Sequence, residues 1–157
     1  MPTADALGTR LASIPIFETL GLRLGLTGEG TATLTAPNDP AYNGIFKSFH
    51  GGLLMTLADT AACLAVLTLA GADAAVTTTD MNIRFLAACR SDATAEARIL
   101  KFGKTLCPVS VEIRDAFVPL HVSLCTNPIF LQRVKLAYPE TTEGRNCKDD
   151  RNDRVRP

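Results

Sequence analysis

An unbroken apolar segment in the middle of the chain constrains the fold more than any other feature. It runs from Gly51 to Ala72 with the sequence GGLLMTLADTAACLAVLTLAGA, which is long enough for a membrane-spanning helix. However, Asp59 lies near its centre, where a carboxylate is costly in lipid, and no Trp or Tyr marks its ends. A helix that is apolar nearly all round can instead be surrounded by protein. We therefore predict a buried helix that begins at Gly51-Gly52 and ends at Gly71, and no membrane partner.

On both sides of this segment, apolar and polar residues alternate with the period of two that is typical of strands. The predicted strands are 22–26 and 31–36 before the helix, and 76–86, 93–102, 107–113 and 118–124 after it. A further short helix is predicted over residues 4–13. One buried helix against a mostly antiparallel sheet is an α+β domain of two layers. Because one helix cannot cover such a sheet, we expect self-association to bury the remainder.

Length and charge limit the number of domains and the classes of partner. The chain has 157 residues, enough for one domain, which we place at 1–139. The last residues, 140–157, are rich in charge and poor in large apolar side chains, which predicts a disordered tail. Sixteen Lys and Arg balance sixteen Asp and Glu, whereas nucleic-acid-binding proteins usually carry a basic excess. No nucleic-acid partner is therefore expected.

The cysteines favour a reducing compartment. There are five of them, widely spaced and without a C-x-x-C pair, so they fit neither a disulfide framework nor a zinc site. The N-terminal residues lack the charged and then apolar order of a signal peptide. We expect a cytoplasmic protein and no metal site.

Asp59 is the most informative candidate for chemistry, because a carboxylate among leucines and alanines is costly to bury without a partner. Two interpretations are open. Asp59 can hydrogen-bond a backbone group or a cation, or face water, in a purely structural role. It can also serve as a general base or nucleophile, a role that partial burial favours.

The start of the same helix is the second candidate. Helix N-termini present free N–H groups and the positive end of the helix dipole, and glycine lets a ligand approach the backbone closely. Gly51 and Gly52 are thus either an oxyanion hole or an ordinary glycine-rich helix start. His50 can donate a hydrogen bond to a substrate carbonyl, or it can simply cap the helix.

The spacing of these two candidates carries a mechanical constraint. Gly51 and Asp59 are eight residues apart, which is about 12 Å along a helix at about 1.5 Å per residue. That is too far for both to contact one carbonyl carbon. If both act, they must come from two copies of the helix that meet across a two-fold interface.

Four motifs follow one another along the chain: Asn43, His50-Gly51-Gly52, LADTA at 57–61 and DMNIRFL at 80–86. Together they resemble the hotdog-fold acyl-CoA thioesterases, and most closely the phenylacetate-pathway (PaaI-like) type. The resemblance extends over about residues 17–115. It implies a hotdog fold, in which a curved antiparallel sheet wraps around the long helix. It also implies homodimers or homotetramers with active sites between subunits.

The resemblance further implies roles for individual residues. Asp59 is then the catalytic base or nucleophile, and the Gly51 N–H polarises the thioester carbonyl. Asn43 and His50 help to hold the thioester or the water, and Thr78 orients that water. The residues implied to contact the substrate are Gly52, Thr60 and Asn82. No cofactor or metal is implied, because coenzyme A is part of the substrate.

We therefore predict an enzyme that hydrolyses an acyl-CoA to a free acid and CoA. Aryl-acetyl, aryl and short- or medium-chain acyl groups all remain open. The alternative is a non-catalytic acyl-CoA-binding hotdog module, although such a module does not need an acid at position 59. A third interpretation, a hotdog dehydratase, needs a catalytic His paired with an acid in a different pattern.

Overall fold

The computed structural model describes residues 4–117 and 121–132. The helices are α1 (Ala4–Ala12), α2 (Pro15–Thr19) and α3 (Gly51–Ala70), with a 3-10 turn at Pro40–Tyr42. The strands are β1 (Arg23–Gly28), β2 (Thr31–Ala36), β3 (Ala75–Thr78), β4 (Asn82–Phe85), β5 (Ala93–Ile99), β6 (Leu106–Asp115) and β7 (His121–Gln132). The predicted tail at 140–157 lies outside the described residues.

The strands form one antiparallel sheet in the order β1-β2-β5-β6-β7-β3, with β4 also paired to β7. Alternate side chains of β2, β5 and β6 are buried against α3. Many of these side chains are small, as are the facing ones on the helix, so helix and sheet can approach closely. The buried alanines are Ala32, Ala36, Ala93, Ala95 and Ala97 on the sheet and Ala58, Ala61, Ala62 and Ala65 on the helix.

Helix α3 is the core helix of the domain. By length and composition alone it could cross a membrane, since its most apolar 18 residues have a mean hydropathy of 1.9. In the fold it packs on β1, β2, β3, β5, β6 and β7, and its leucines and alanines supply much of the core. It ends where Gly71 takes a φ of 103°, a conformation that favours glycine. The predicted α+β architecture, with a buried helix that ends at Gly71, is confirmed.

The prediction of four strands after α3 is wrong, because the described residues contain five. The predicted strand 76–86 is divided into β3 and β4, and both pair with β7. Thr78 is opposite Ile129, and Asn82 is opposite Thr126. The step from 78 to 82 is four residues, while the step from 129 to 126 is three. One extra residue therefore lies between β3 and β4, which breaks the ladder in the manner of a β-bulge.

The end of β6 is fixed by a buried carboxylate. Asp115, only 6% exposed, accepts hydrogen bonds from the backbone N–H groups of Arg90 (2.7 Å), Ser91 (3.1 Å) and Phe117 (2.9 Å), and from the Ser91 hydroxyl. Burial alone would raise the pKa of Asp115, but these hydrogen bonds together hold it well below its usual value. Asp115 thus ties the loop before β5 to the end of β6.

Candidate active site

The first turn of α3 leaves one backbone donor free. His50 caps the helix, and its Nδ1 accepts a hydrogen bond from the N–H of Gly52 at 3.0 Å. The His50 carbonyl accepts from the N–H groups of Leu53 (2.9 Å) and Leu54 (3.2 Å). Three of the first four N–H groups of the helix are therefore satisfied. The fourth, that of Gly51, has no partner in the part of the chain that the structure describes.

The same capping hydrogen bond defines the tautomer of His50. Because Nδ1 accepts a hydrogen bond from the Gly52 N–H, it carries no proton of its own, and the neutral imidazole holds its proton on Nε2. The side chain is exposed. The Nε2–H is thus a second donor beside the start of the helix.

An aromatic ring explains why position 51 is a glycine. A Cβ atom added to Gly51 would lie 3.3 Å from Cζ of Phe85, at the end of β4. A Cβ on Gly52 would lie 3.1 Å from His50 Nδ1. The two glycines therefore leave room for the ring and for the capping imidazole, respectively. Phe85 is 51% exposed and stands next to the free donor.

Asn43 lies beside this helix start and contains a buried polar atom without a partner. It follows the 3-10 turn and forms an isolated antiparallel bridge with Phe49, while the His50 N–H donates to the Tyr42 carbonyl at 3.1 Å. Asn43 Oδ1 is buried and accepts no hydrogen bond within the described residues. Such an atom costs about 1–3 kcal/mol if it stays unsatisfied. The Asn43 Oδ1 atom is therefore an acceptor that no donor of the described residues satisfies.

Two turns further along α3, Asp59 meets the end of β3. Asp59 is half-buried, and its Oδ1 accepts a hydrogen bond from the Thr78 hydroxyl. Cys63 lies one turn beyond, with Sγ 3.8 Å from Thr78 Oγ1. Burial, and secondarily the negative charge of Asp59, raise the pKa of the Cys63 thiol to about 11. The carboxylate is thus held by a neutral hydroxyl, next to a thiol that keeps its proton.

The two remaining candidates are engaged with their own elements. The Thr60 hydroxyl donates to the Thr56 carbonyl at 2.8 Å, within α3. Asn82 is exposed at the start of β4, and its Oδ1 accepts from the Arg84 guanidinium. Within residues 4–117 and 121–132, neither side chain forms a hydrogen bond with the side chains of Asp59 or Thr78. A substrate-binding role for these two residues stays a prediction.

The candidate residues therefore fall into two groups within one chain. The helix-start group contains Asn43, His50, Gly51 and Gly52, and the carboxylate group contains Asp59, Thr78 and Cys63. The two groups are about 12 Å apart along α3, because Asp59 is eight residues after Gly51 and the helical rise is about 1.5 Å per residue. One chain does not bring both groups to one carbonyl carbon.

Sequence reasoning missed two residues of these surroundings. Cys63 had a signal, because it lies four residues after Asp59 and so shares its helix face. Phe85 had none, because its contact with Gly51 depends on how β4 lies against the helix start and not on any spacing in the chain.

Comparison with known proteins finds one matching family. The sequence model of the thioesterase superfamily matches residues 46–116, the span that carries both groups apart from Asn43. Over this span the chain is similar to the thioesterase superfamily. The resemblance found in the sequence motifs is confirmed at this level. No curated protein sequence matches the chain.

Solved structures show the same fold. The PaaI protein of the E. coli phenylacetic acid degradation operon superposes with a TM-score of 0.75 at 23% identity, over 82% of this chain and 91% of its own. A thioesterase from Haemophilus influenzae superposes with a TM-score of 0.76 at 24% identity, over 88% of this chain and 96% of its own. For a thioesterase family protein from Silicibacter pomeroyi the TM-score is 0.76 at 24% identity, over 82% of this chain and 96% of its own. These similarities confirm the predicted hotdog fold.

Proposed function

We propose that the protein is an acyl-CoA thioesterase, which hydrolyses an acyl-CoA to a free acid and CoA. The match to the thioesterase superfamily over residues 46–116 and the fold that the chain shares with PaaI support this proposal. The observation that carries it is the pairing on one helix of a free backbone donor at Gly51 with a half-buried carboxylate, Asp59, held by Thr78. Thioester hydrolysis needs both a stabilised oxyanion and an activated water or nucleophile.

In the proposed reaction, Asp59 as a base removes a proton from the water that attacks the thioester carbonyl carbon; the C–S bond then breaks, and the CoA sulfur leaves with that proton. As a nucleophile, Asp59 attacks the carbon itself, so that CoA leaves as the thiolate and the acyl group is held as a mixed anhydride. Water then hydrolyses the anhydride, which releases the acid, restores the Asp59 carboxylate and supplies the proton for the CoA sulfur. Thr78 donates to one carboxylate oxygen and so orients the other toward the water or the substrate. Thr78 thus acts on the water through Asp59, since its only hydroxyl proton is directed at that carboxylate.

The helix-start group provides the electrostatic part of the proposed reaction. The negative charge that develops on the carbonyl oxygen is met by the Gly51 N–H and by the positive end of the α3 dipole. His50 Nε2–H is a second donor, and the buried Asn43 Oδ1 is an acceptor for the water or a substrate N–H. The proposed chemistry uses neither a metal nor a cofactor.

The proposed active site lies between two subunits of a homodimer or homotetramer. The length of α3 between Gly51 and Asp59 requires two copies of the helix for each site. Large apolar side chains just before the helix also support a partner subunit, since Ile45 is 93% and Phe46 is 85% exposed in the single chain. We further propose a cytoplasmic location, supported by the free thiols of Cys63, Cys89 and Cys107.

The direct test is release of free thiol from a panel of aryl-acetyl-, aryl- and short- and medium-chain acyl-CoAs. Asp59→Asn keeps the shape of the side chain and removes the base, so it should lower kcat by roughly 10²–10⁴-fold. KM should change much less, because CoA is held elsewhere. The melting temperature should not fall, since Asn can still accept from Thr78 and a half-buried charge is removed.

The outcomes of this test separate the alternatives. Near-wild-type turnover in a folded Asp59→Asn variant would make Asp59 structural and remove the mechanism. Tight binding of an acyl-CoA without release of thiol by the wild type would favour the non-catalytic binding module. The melting curves show whether a variant that has lost activity is still folded.

A further inference from the structure

The hydrogen bonds around Thr78 have a direction that can be read from the number of protons available. A hydroxyl has one proton to donate, although its oxygen can accept further hydrogen bonds. The Thr78 proton is directed at Asp59 Oδ1. With that proton engaged, a hydrogen bond across the 3.8 Å between Thr78 Oγ1 and Cys63 Sγ takes its proton from sulfur.

The thiol of Cys63 is able to supply that proton. Burial, followed by the nearby charge of Asp59, keeps it protonated by raising its pKa to about 11. Cys63 is four residues after Asp59 on α3, so the two side chains share one helix face. Thiol and carboxylate thus lie on either side of the Thr78 hydroxyl.

We propose that Cys63 is a positioning residue of the active site, which donates its S–H to Thr78 and thereby directs the Thr78 proton toward Asp59. A hydroxyl rotates readily about its C–O bond, and an incoming donor favours the rotamer in which its own proton points elsewhere. Hydrogen bonds in such a chain also strengthen one another. The inference rests on the proposed function, because it concerns how the proposed base is held.

Three substitutions at position 63 separate hydrogen bonding from packing. Cys63→Ser keeps a donor, Cys63→Ala removes the donor and the volume, and Cys63→Val removes the donor while it fills the space. We expect Cys63→Ser to retain kcat within about twofold of the wild type. The Ala and Val variants should each lose about 3–10-fold in kcat, the size expected for one neutral hydrogen bond, with little change in KM.

A double substitution tests the route through Thr78. If Cys63 acts only through that hydroxyl, Cys63→Ala should cost nothing further in a Thr78→Val background. A full additional loss in the double variant would show that Cys63 acts in some other way, and would overturn the proposal. Equal kcat for the wild type and all three Cys63 variants would also overturn the proposal. So would a lower kcat in Cys63→Ser and Cys63→Ala together with a wild-type kcat in Cys63→Val, because packing would then explain the loss.

A substrate-free measurement keeps this inference separate from the proposed function. The infrared S–H stretch of Cys63 is obtained as the difference between wild type and Cys63→Ala. We expect a band at the lower frequency of a hydrogen-bonded thiol, which moves to higher frequency in Thr78→Val. A band at the position of a free thiol in the wild type would overturn the inference, even if acyl-CoAs are hydrolysed. If the S–H band shifts as expected but the protein hydrolyses no acyl-CoA, the hydrogen bond is supported and the proposed function is rejected.

Discussion

Two aspartates of this chain show how much the surroundings of a carboxylate decide its role. Asp115 accepts three backbone N–H groups and one hydroxyl, which consume its acceptor capacity and tie two segments together. Asp59 accepts from one hydroxyl and lies half-buried beside the sheet. Asp59 therefore keeps hydrogen-bond acceptor capacity for a water or a substrate. A carboxylate that acts as a base needs this capacity, whereas a purely structural carboxylate does not.

We predict that Asp115→Asn lowers the free energy of unfolding by about 2–3 kcal/mol, the value of strong hydrogen bonds to a charged acceptor. The loss should depend on pH. Because the hydrogen bonds lower the pKa of Asp115 in the folded state, its contribution is complete above the unfolded pKa of about 3.9 and is lost as the pH falls below it. Urea unfolding of both proteins between about pH 7 and pH 2 measures this.

Glu112→Gln is the matched control for that measurement. Glu112 is on the same strand, but it is partly exposed and pairs with Arg114 on the surface at 3.0 Å, so its replacement should change stability by less than about 0.5 kcal/mol. A difference between wild type and Asp115→Asn that stays constant down to pH 2 would contradict the assigned role of the charge.

The sequence alone points to the importance of Asp59 but not to that of Asp115. Asp59 stands out because every neighbour in its helix is apolar, whereas Asp115 follows Arg114 at the end of an alternating strand and looks like a surface residue. The hydrogen bonds of Asp115 come from residues 90 and 91, and that proximity depends on the register of β5 and β6. The resemblance implied that Thr78 orients a water, but its contact with Asp59 was not predicted, for the same reason.

Helix α3 performs two tasks, since it fills the core and presents a backbone donor at its first turn. We predict that Gly51→Pro, which removes the N–H and adds a ring at that position, lowers kcat by about 10²–10³-fold, as does the loss of an oxyanion-hole donor elsewhere. Proline is well tolerated at the first position of a helix. His50 has ψ of 128°, a conformation that suits the residue before a proline. Thiol release over a range of acyl-CoA concentrations gives kcat and KM separately.

Gly51→Ala is the control at the same position. It adds the same Cβ toward Phe85 but keeps the N–H, and the half-exposed ring has room to move, so only a few-fold loss in kcat is expected. Equal losses in the Pro and Ala variants would mean that crowding against Phe85, and not the missing donor, reduces the rate.

At the level of elements, the sequence was most informative where periodicity was long and regular. β2 lies at the predicted residues 31–36, and α3 begins at the predicted glycines. The five residues of α2 are too few to show a helical period, so this helix was not predicted. The division between β3 and β4 was also missed, because both halves have strand composition and only their pairing with β7 reveals the extra residue.

For the whole molecule, we predict that two inactive variants can restore activity together. A mixed dimer of Asp59→Asn and Gly51→Pro chains has one intact pair of groups and one pair that lacks both. If each site uses the two groups from different chains, this dimer should have about half of the wild-type activity, as two-fold symmetry requires. Co-expression with two different affinity tags isolates the mixed species for the thiol-release assay.

The parent variants, purified in the same way, provide the baseline for that experiment. A mixed species no more active than its parents would place each complete site within one chain, and would contradict the inference from helix length. The same measurement therefore decides whether self-association is required for catalysis or only covers apolar surface.

The position of both groups on a single rigid helix has a consequence for how such a site could vary. In a two-fold assembly, the fit between donor and carboxylate is determined by the angle and offset of one helix against its own copy. The symmetry operation reproduces that fit at every site, so a change at one site occurs at the symmetry-related site as well. A substitution far from the active site could tilt the subunits by a few degrees. It would then misalign the donor and the carboxylate equally at all sites, and lower the rate although no residue that contacts the substrate has changed.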